Sequence, residues 1–276
     1  MDFPQASEVF IRVVFFVGIF AALAALEHRF PRRARLLSRW KRWPSNLGVS
    51  LLNQAFIRML VPATAVALAV MVEDIGFGLL GRIELAWWLE VVIALLLLDL
   101  AVYLQHRLYH TVPLLWRFHR MHHADTEFDV STGIRFHPLS VLLSAFIKLS
   151  VVFLVGPSAF AVVVFEILLN ATSLFNHSNF KLPITADRIA RMLVVTPDMH
   201  RVHHSTNVGE MNTNFGFNFP WWDHFFRTYR AQPGVEHDNM LIGLGQFRAK
   251  EELRLDRMLT QPFRVDVIDL RNEIEN

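Results

Sequence analysis

Eight of the thirteen histidines of this chain fall in two short stretches, HRLYHTVPLLWRFHRMHH at residues 106–123 and HRVHH at residues 200–204. They follow three spacings: His-x3-His at His106 and His110, then His-x2-His-His at His119, His122 and His123, and the same again at His200, His203 and His204. On a helix, positions i, i+3 and i+4 share one face with Cβ atoms roughly 5–6 Å apart, so each run can aim two or three imidazoles at a common centre. That is metal-ligand spacing. A histidine alone on an apolar helix is more often a hydrogen-bonded core residue. Three clusters are a different matter, because imidazoles gathered at random repel when protonated and waste buried nitrogens when neutral.

What the chain lacks narrows the chemistry. It has no cysteine, which excludes thiolate-rich zinc and iron–sulfur sites and any disulfide, and no HExxH, which removes the zincin protease pattern. Imidazole suits iron, zinc, copper or nickel. Eight or more nitrogens are too many for one ion with an open position, so two ions are the natural count.

The elements that must position these histidines are membrane helices. Of 276 residues, 53% are hydrophobic, and the mean hydropathy of +0.32 is too apolar for an ordinary soluble domain. The sequence predicts an all-α integral membrane protein with a multi-helix transmembrane stem and a cytoplasmic, helical, histidine-rich dimetal cap. Spans are expected at residues 9–26, 47–72 and 85–104, followed by a hairpin of 139–155 and 158–173 joined by Gly156-Pro157. The first is read as an uncleaved span because its positive charge follows the apolar run, the reverse of a signal peptide, and Arg12 within it can snorkel. The catalytic parts are then residues 105–138 and 176–276 of a single domain covering 1–276.

Charge sets the expected orientation. Arg29, Arg32, Arg33, Arg35, Arg39, Lys41 and Arg42 form the densest basic cluster, and under the positive-inside rule this loop is cytoplasmic and the N-terminus outside. Trp40 and Trp43 fit an interfacial belt. The net charge of +2 is therefore read as membrane anchoring, with no nucleic-acid partner. By parity all eight clustered histidines, together with His137 and His177, fall on the cytoplasmic side. The arginine-rich, lysine-poor composition favours a bacterial inner membrane.

Several other residues stand out. Asp99, Tyr103, His106 and His110 make one helical stripe, so Asp99 is either a support for the metal centre or a solvated helix-end acid. Asn214 and Asp223 are further candidates for that supporting role, with Asp99 and Tyr103. Asn53, Gln54 and Arg58 in the second span are expected to face other helices or headgroups. Thr196-Pro197-Asp198 reads as a helix start that presents His200, His203 and His204, and a charged amphipathic helix is expected over 249–259. Lys148 and Glu166 are each nine residues from Pro157, which predicts an ion pair at equal depth in the hairpin.

The ordered histidine motifs resemble those of the membrane-bound fatty acid hydroxylase and sterol desaturase superfamily. The resemblance runs from about Asp99 to Tyr229 and includes Leu114-Leu115-Trp116, RFHPL at His137, NHSN at His177, TPDMHRVHHS, NTNFG and WWDHFFRTY. It implies a dimetal centre of two iron ions, with zinc an occasional occupant of purified protein. Ligand roles would pass to His106, His110, His119, His122, His123, His200, His203 and His204, completed by His177 and His137. Lys181 stands where some members carry a histidine, which leaves a tenth ligand open, and His224 stands where an arginine is common. His28 and His237 match nothing and are expected at the surface or in packing.

The same resemblance implies an oxidoreductase that hydroxylates or desaturates a C–H bond of a lipid with dioxygen, the lipid being a sterol, fatty acyl chain, ether lipid or carotenoid. The protein supplies ligand geometry, a dry channel and substrate register, and no side chain beyond the dimetal centre need be catalytic. With no HPGG haem motif and no cysteine, electrons would come from a separate donor of ferredoxin or cytochrome b5 type with its reductase. Two rival readings stay open on the residues alone: a zinc-dependent membrane hydrolase, and a metal- or lipid-binding membrane protein without catalysis.

Overall fold

A computed structural model describes residues 5–61 and 63–264. Pro62, inside the second expected span, and residues 265–276 of the expected cytoplasmic tail lie outside that description. Five stretches are long and apolar enough to cross a membrane: Phe10–Arg29, Trp43–Asp74, Trp87–Thr111, Pro138–Val155 and Ala159–Asn176. No strand occurs among the described residues, only the isolated bridges Pro31–Phe180 and Ser205–Ile242.

Helix α1 (Gln5–Arg29) lies against the stem along one stripe, where Phe16, Ile19, Phe20 and Leu23 pack on Val130, Ile134 and Leu174. The second apolar stretch is not one continuous helix but two, α2 (Trp43–Leu60) and α3 (Ala65–Asp74). Val61 is extended (φ −116°, ψ 97°) and precedes Pro62, whose ring disfavours helical geometry in the residue before it. Thr64 then restarts the helix by accepting the Ala67 N–H at 3.1 Å. Buried on α2, Asn53 donates to the Phe136 carbonyl at 2.8 Å, so this polar residue of the span does face protein.

Helix α4 (Trp87–Thr111) carries the first histidine pair, and α5 (Pro113–His123) turns off it at Val112, with Pro113 at the first helical position where its missing N–H costs nothing. The hairpin is α6 (Pro138–Val155) and α7 (Ala159–Asn176). Gly156 ends α6 in the left-handed region (φ 63°), and a Cβ there would lie 2.6 Å from the Phe77 carbonyl oxygen, so only glycine fits. At that far end Glu90 of α4 accepts from both the backbone N–H and the hydroxyl of Ser158 at 2.9 Å.

Lys148 and Glu166 are paired across the hairpin, as their equal distance from Pro157 predicts. Arg12 of α1 reaches the same carboxylate at 2.8 Å, so it completes a three-residue charged cluster instead of snorkelling to the surface.

The opposite end of the stem bears a polar cap built from short helices: α8 (Ile184–Ala190), α9 (Pro197–His203), α10 (Val208–Met211), α11 (Trp221–Phe225) and α12 (Leu255–Thr260). The helix expected over 249–259 is instead a 3-10 turn, Lys250–Leu253, and α12, separated by the extended Arg254. The basic loop after α1 folds onto this cap. Arg32 pairs with Asp198 at 3.0 Å and with Asp238 at 2.8 Å, and Arg42 is fully buried between Asp125 and Asp129. Part of the charge that marks this loop as membrane-flanking is thus internal.

Candidate metal centre

Four elements deliver nine imidazoles to one place. Helix α4 brings His106 and His110, α5 brings His119, His122 and His123, His177 terminates α7, and α9 brings His200 and His203 with His204 at its C-terminal end. The start of α9 is the one the sequence predicts: Thr196 accepts the Met199 N–H at 3.4 Å and Pro197 follows it.

The nitrogens form two groups, and within each they lie no more than 4.8 Å apart: His106, His110, His119, His123 and His203 in one, His122, His177, His200 and His204 in the other. Each His-x2-His-His run is divided between the groups. Adjacent residues on a helix point about 100° apart, so His122 and His123 diverge, as do His203 and His204. The seam between the groups is tight, with the His123 and His204 rings stacked at 4.4 Å and 14°.

The tautomers are set from behind. Nδ1 of His106 donates to the Phe215 carbonyl at 2.8 Å, that of His203 to Thr213 at 2.8 Å, that of His177 to Ser173 at 2.7 Å and that of His122 to Arg135 at 3.2 Å. His110 Nδ1 meets the side-chain oxygen of Asn212 at 3.3 Å. A proton held on Nδ1 leaves Nε2 as a bare lone pair facing inward. His122 and His177 then oppose each other Nε2 to Nε2 at 3.1 Å with no proton available to either, and His200 meets His177 at 3.2 Å.

Protonation does not relieve this opposition. Burial drives His122 well below the usual imidazole range and His177 down to about 3. His119, His123, His200, His203 and His204 are lowered likewise, by burial first and by one another second. Beyond these contacts, Nδ1 of His119 and His200, Nε2 of His110 and His203, and both nitrogens of His123 and His204 are buried without a hydrogen-bond partner. Each would cost about 1–3 kcal/mol if left so. Converging lone pairs, neutral rings and unpartnered buried nitrogens together fit a pair of divalent cations.

One four-residue segment supports three of the five ligand candidates in the first group. Asn212, Thr213 and Phe215 supply the acceptors for His110, His203 and His106. Asn214 between them sits in the left-handed region (φ 53°) and is held there by donating to the Met199 and Arg230 carbonyls at 2.9 and 2.8 Å and accepting the Arg230 N–H at 2.8 Å. Asp223 takes the N–H groups of Phe215 and Gly216, each at 2.8 Å, and burial raises its carboxyl to about 6. A side chain at Gly216 would meet that carboxylate at 2.7 Å.

Asp99 and Tyr103 act one step further out. Asp99 is buried, not solvated. It accepts from the backbone N–H groups of Asn218 and Phe219 at 3.3 Å and from the Trp222 indole at 2.9 Å, and so ties this loop to α4. Tyr103 stacks on Phe226 at 5.2 Å and its hydroxyl meets Thr228 at 2.8 Å.

His137 does not join either group. Its Nδ1 accepts the Leu139 N–H at 3.2 Å as the N-cap of α6, and its Nε2 donates to the Leu259 carbonyl at 3.2 Å. A polar cap for a buried helix start and a metal ligand look alike in the sequence RFHPL, and here the cap uses one nitrogen and the Leu259 carbonyl the other. His28 is exposed, His224 stacks on Tyr229 at 4.0 Å, and His237 meets Gln232 at 3.2 Å, all away from the groups.

The histidine helices are braced by charges whose partners the sequence does not reveal. Arg42 donates to Asp125 at 2.6 Å and 2.8 Å, and Arg135 donates to the Met121 carbonyl at 2.9 Å. Burial alone would raise the Asp125 carboxyl, but Arg42 and Arg135 bring it down to about 2. Phe217 lies half-buried beside both groups, its ring 6.3 Å from His106 and 6.4 Å from His177 and His200.

Comparison with known proteins points the same way. A family model described as fatty acid hydroxylase matches residues 91–228, half of the chain. An ornithine lipid hydroxylase of Rhizobium tropici is 29% identical over 177 residues, 63% of this chain and 50% of that protein. Human alkylglycerol monooxygenase is 28% identical over 155 residues, 55% of this chain and 32% of its own. Rat cholesterol 25-hydroxylase is 30% identical over 147 residues, 52% and 48% respectively. The matches thus span half or less of these relatives. No solved structure matches.

Proposed function

Because this chain belongs to the fatty acid hydroxylase family, we propose that it is a membrane-bound oxidoreductase that hydroxylates a C–H bond of a lipid, using dioxygen and electrons from a separate carrier. The observation that carries this reading is the pair of histidine groups, nine imidazoles whose ligand nitrogens converge within 4.8 Å in each group. Relatives are named as hydroxylases of ornithine lipid and cholesterol and as a monooxygenase of alkylglycerol, which favours hydroxylation over desaturation.

Two irons are the proposed cofactor. His106, His110, His119, His123 and His203 would hold one, and His122, His177, His200 and His204 the other. When bound, iron supplies the redox chemistry that activates dioxygen toward an unactivated C–H bond. The chain's own part is positioning. The carbonyls of Phe215, Thr213, Ser173 and Arg135 keep four ligand candidates in the Nδ1–H tautomer, so each presents Nε2 and needs no deprotonation on metal binding. Phe217, against both groups, would keep the approach to them apolar. The five apolar stretches make the chain an integral membrane protein. A cytoplasmic polar cap, by the positive-inside rule, puts the centre where soluble electron carriers reach it.

Lipid extracts of cells with and without the gene, grown under 18O2, test the reading. A lipid species heavier by one 18O atom and dependent on the gene is expected. Unchanged lipids, or an oxygen-independent change, would overturn it in favour of a hydrolase or a binding protein.

A further inference from the structure

The segment that supports the first histidine group continues downward along the stem before turning back. Along α4, Asp99 lies seven residues before His106, about 10 Å deeper in the stem at 1.5 Å per residue. Along α7, Thr172 lies five residues before His177, about 7.5 Å deeper. The loop reaches both. Asn218 and Phe219 give their N–H groups to Asp99, the Asn218 side chain meets the Thr172 hydroxyl, and Asn176 donates to the Phe217 carbonyl at 3.0 Å. The Asn218 carbonyl accepts the Val195 N–H at 3.0 Å.

Irregular backbone at membrane depth survives only where protein groups satisfy it, because hydrocarbon offers no hydrogen bonds. Here the polar backbone of the loop bottom is satisfied by two spanning helices and by Val195.

The outer face of the same loop is apolar. Phe225 is 76% exposed and Trp221 41%, one helical turn apart on α11, and the Trp221 indole donates to the Met192 carbonyl at 2.7 Å, which joins them to Met192 and Leu193 at 61% and 63%. The polar neighbour His224 turns away to stack on Tyr229. The segment is tied to α4, a helix long and apolar enough to cross a bilayer, by the Trp222–Asp99 bond and the Tyr103–Phe226 stack.

We propose that residues 215–226 form a re-entrant wedge, clamped between α4 and α7, whose Trp221 and Phe225, together with the adjoining Met192 and Leu193, are immersed among lipid acyl chains below the level of the histidine groups. The inference deepens the proposed function, and rests on it for the meaning of the wedge: Phe217 on the inner side faces the histidines while the outer side meets the chains from which a substrate is drawn.

The chain has no cysteine, so single labels are unambiguous. Phe225→Cys, Leu193→Cys and Val208→Cys, the last on α10 beyond the histidines, are labelled with bimane and reconstituted in phosphatidylcholine vesicles containing lipids with a nitroxide on the acyl chain. Labels at 225 and 193 should be quenched at least twofold more by the nitroxide lipids than the label at 208, and several-fold less by aqueous iodide. Equal iodide quenching at all three positions, in protein that retains its metal, overturns the wedge. A quenched wedge in a protein that oxidises no lipid would instead overturn only the proposed function.

Discussion

His106 and Asp223 are joined through one residue: Phe215 gives its N–H to the Asp223 carboxylate at 2.8 Å and takes the His106 Nδ1–H on its carbonyl at 2.8 Å. The carboxylate therefore sets the direction of an imidazole it never touches. Asp223→Asn preserves size but can accept only through one atom, and points an amide at either Phe215 or Gly216. The expected result is a 10–100-fold weaker affinity for the metal of the first group with the second group unaffected. Metal titration of the purified variant checks it, and two unchanged affinities would show that Asp223 serves only the fold.

His177 and His137 should separate cleanly. His177→Ala removes a member of the second group and should lower metal content, whereas His137→Ala removes an N-cap and should cost about 1 kcal/mol of stability with metal content intact. Metal analysis beside thermal unfolding in detergent reads both. Metal loss on His137→Ala would place that residue at the centre after all.

The charged cluster in the hairpin predicts an asymmetry. Glu166→Gln strands two cations, while Lys148→Met leaves Glu166 with Arg12 at 2.8 Å. The first should destabilise more, by up to the order of 2.5–3.5 kcal/mol that an unpaired charge at mid-bilayer costs, and the double replacement should lose less than the sum. Additive losses in the thermal unfolding of the cycle would mean that Lys148 and Glu166 do not interact.

Phe217 touches both groups without ligating either, so its size should govern which carbon is presented. Phe217→Ala is expected to broaden the distribution of oxidised positions at unchanged metal content, measured by mass spectrometry of the product. An unaltered product pattern would remove Phe217 from the approach.

Much of the histidine grouping was legible because helical spacing at i, i+3 and i+4 puts imidazoles on one face. The three histidine runs and His177 could be read from sequence, and so could the Thr196-Pro197 helix start and the pairing of Lys148 with Glu166. The acceptors behind the imidazoles were not legible, since a carbonyl such as that of Phe215 or Ser173 belongs to any residue type. Hydropathy averages also carried the second span across the break at Val61, and charge counting treated Arg42 as a membrane-facing cation when its partners, Asp125 and Asp129, lie more than eighty residues away.

The central claim is that nine imidazoles form two metal sites. Iron per chain, measured by plasma mass spectrometry after anaerobic loading and desalting, tests it most directly when the protein is compared with His203→Ala and His204→Ala, one from each group. The account predicts about two irons per chain in the parent and a fall toward one in each variant. One iron or none in the parent, or two retained in both variants, would contradict it.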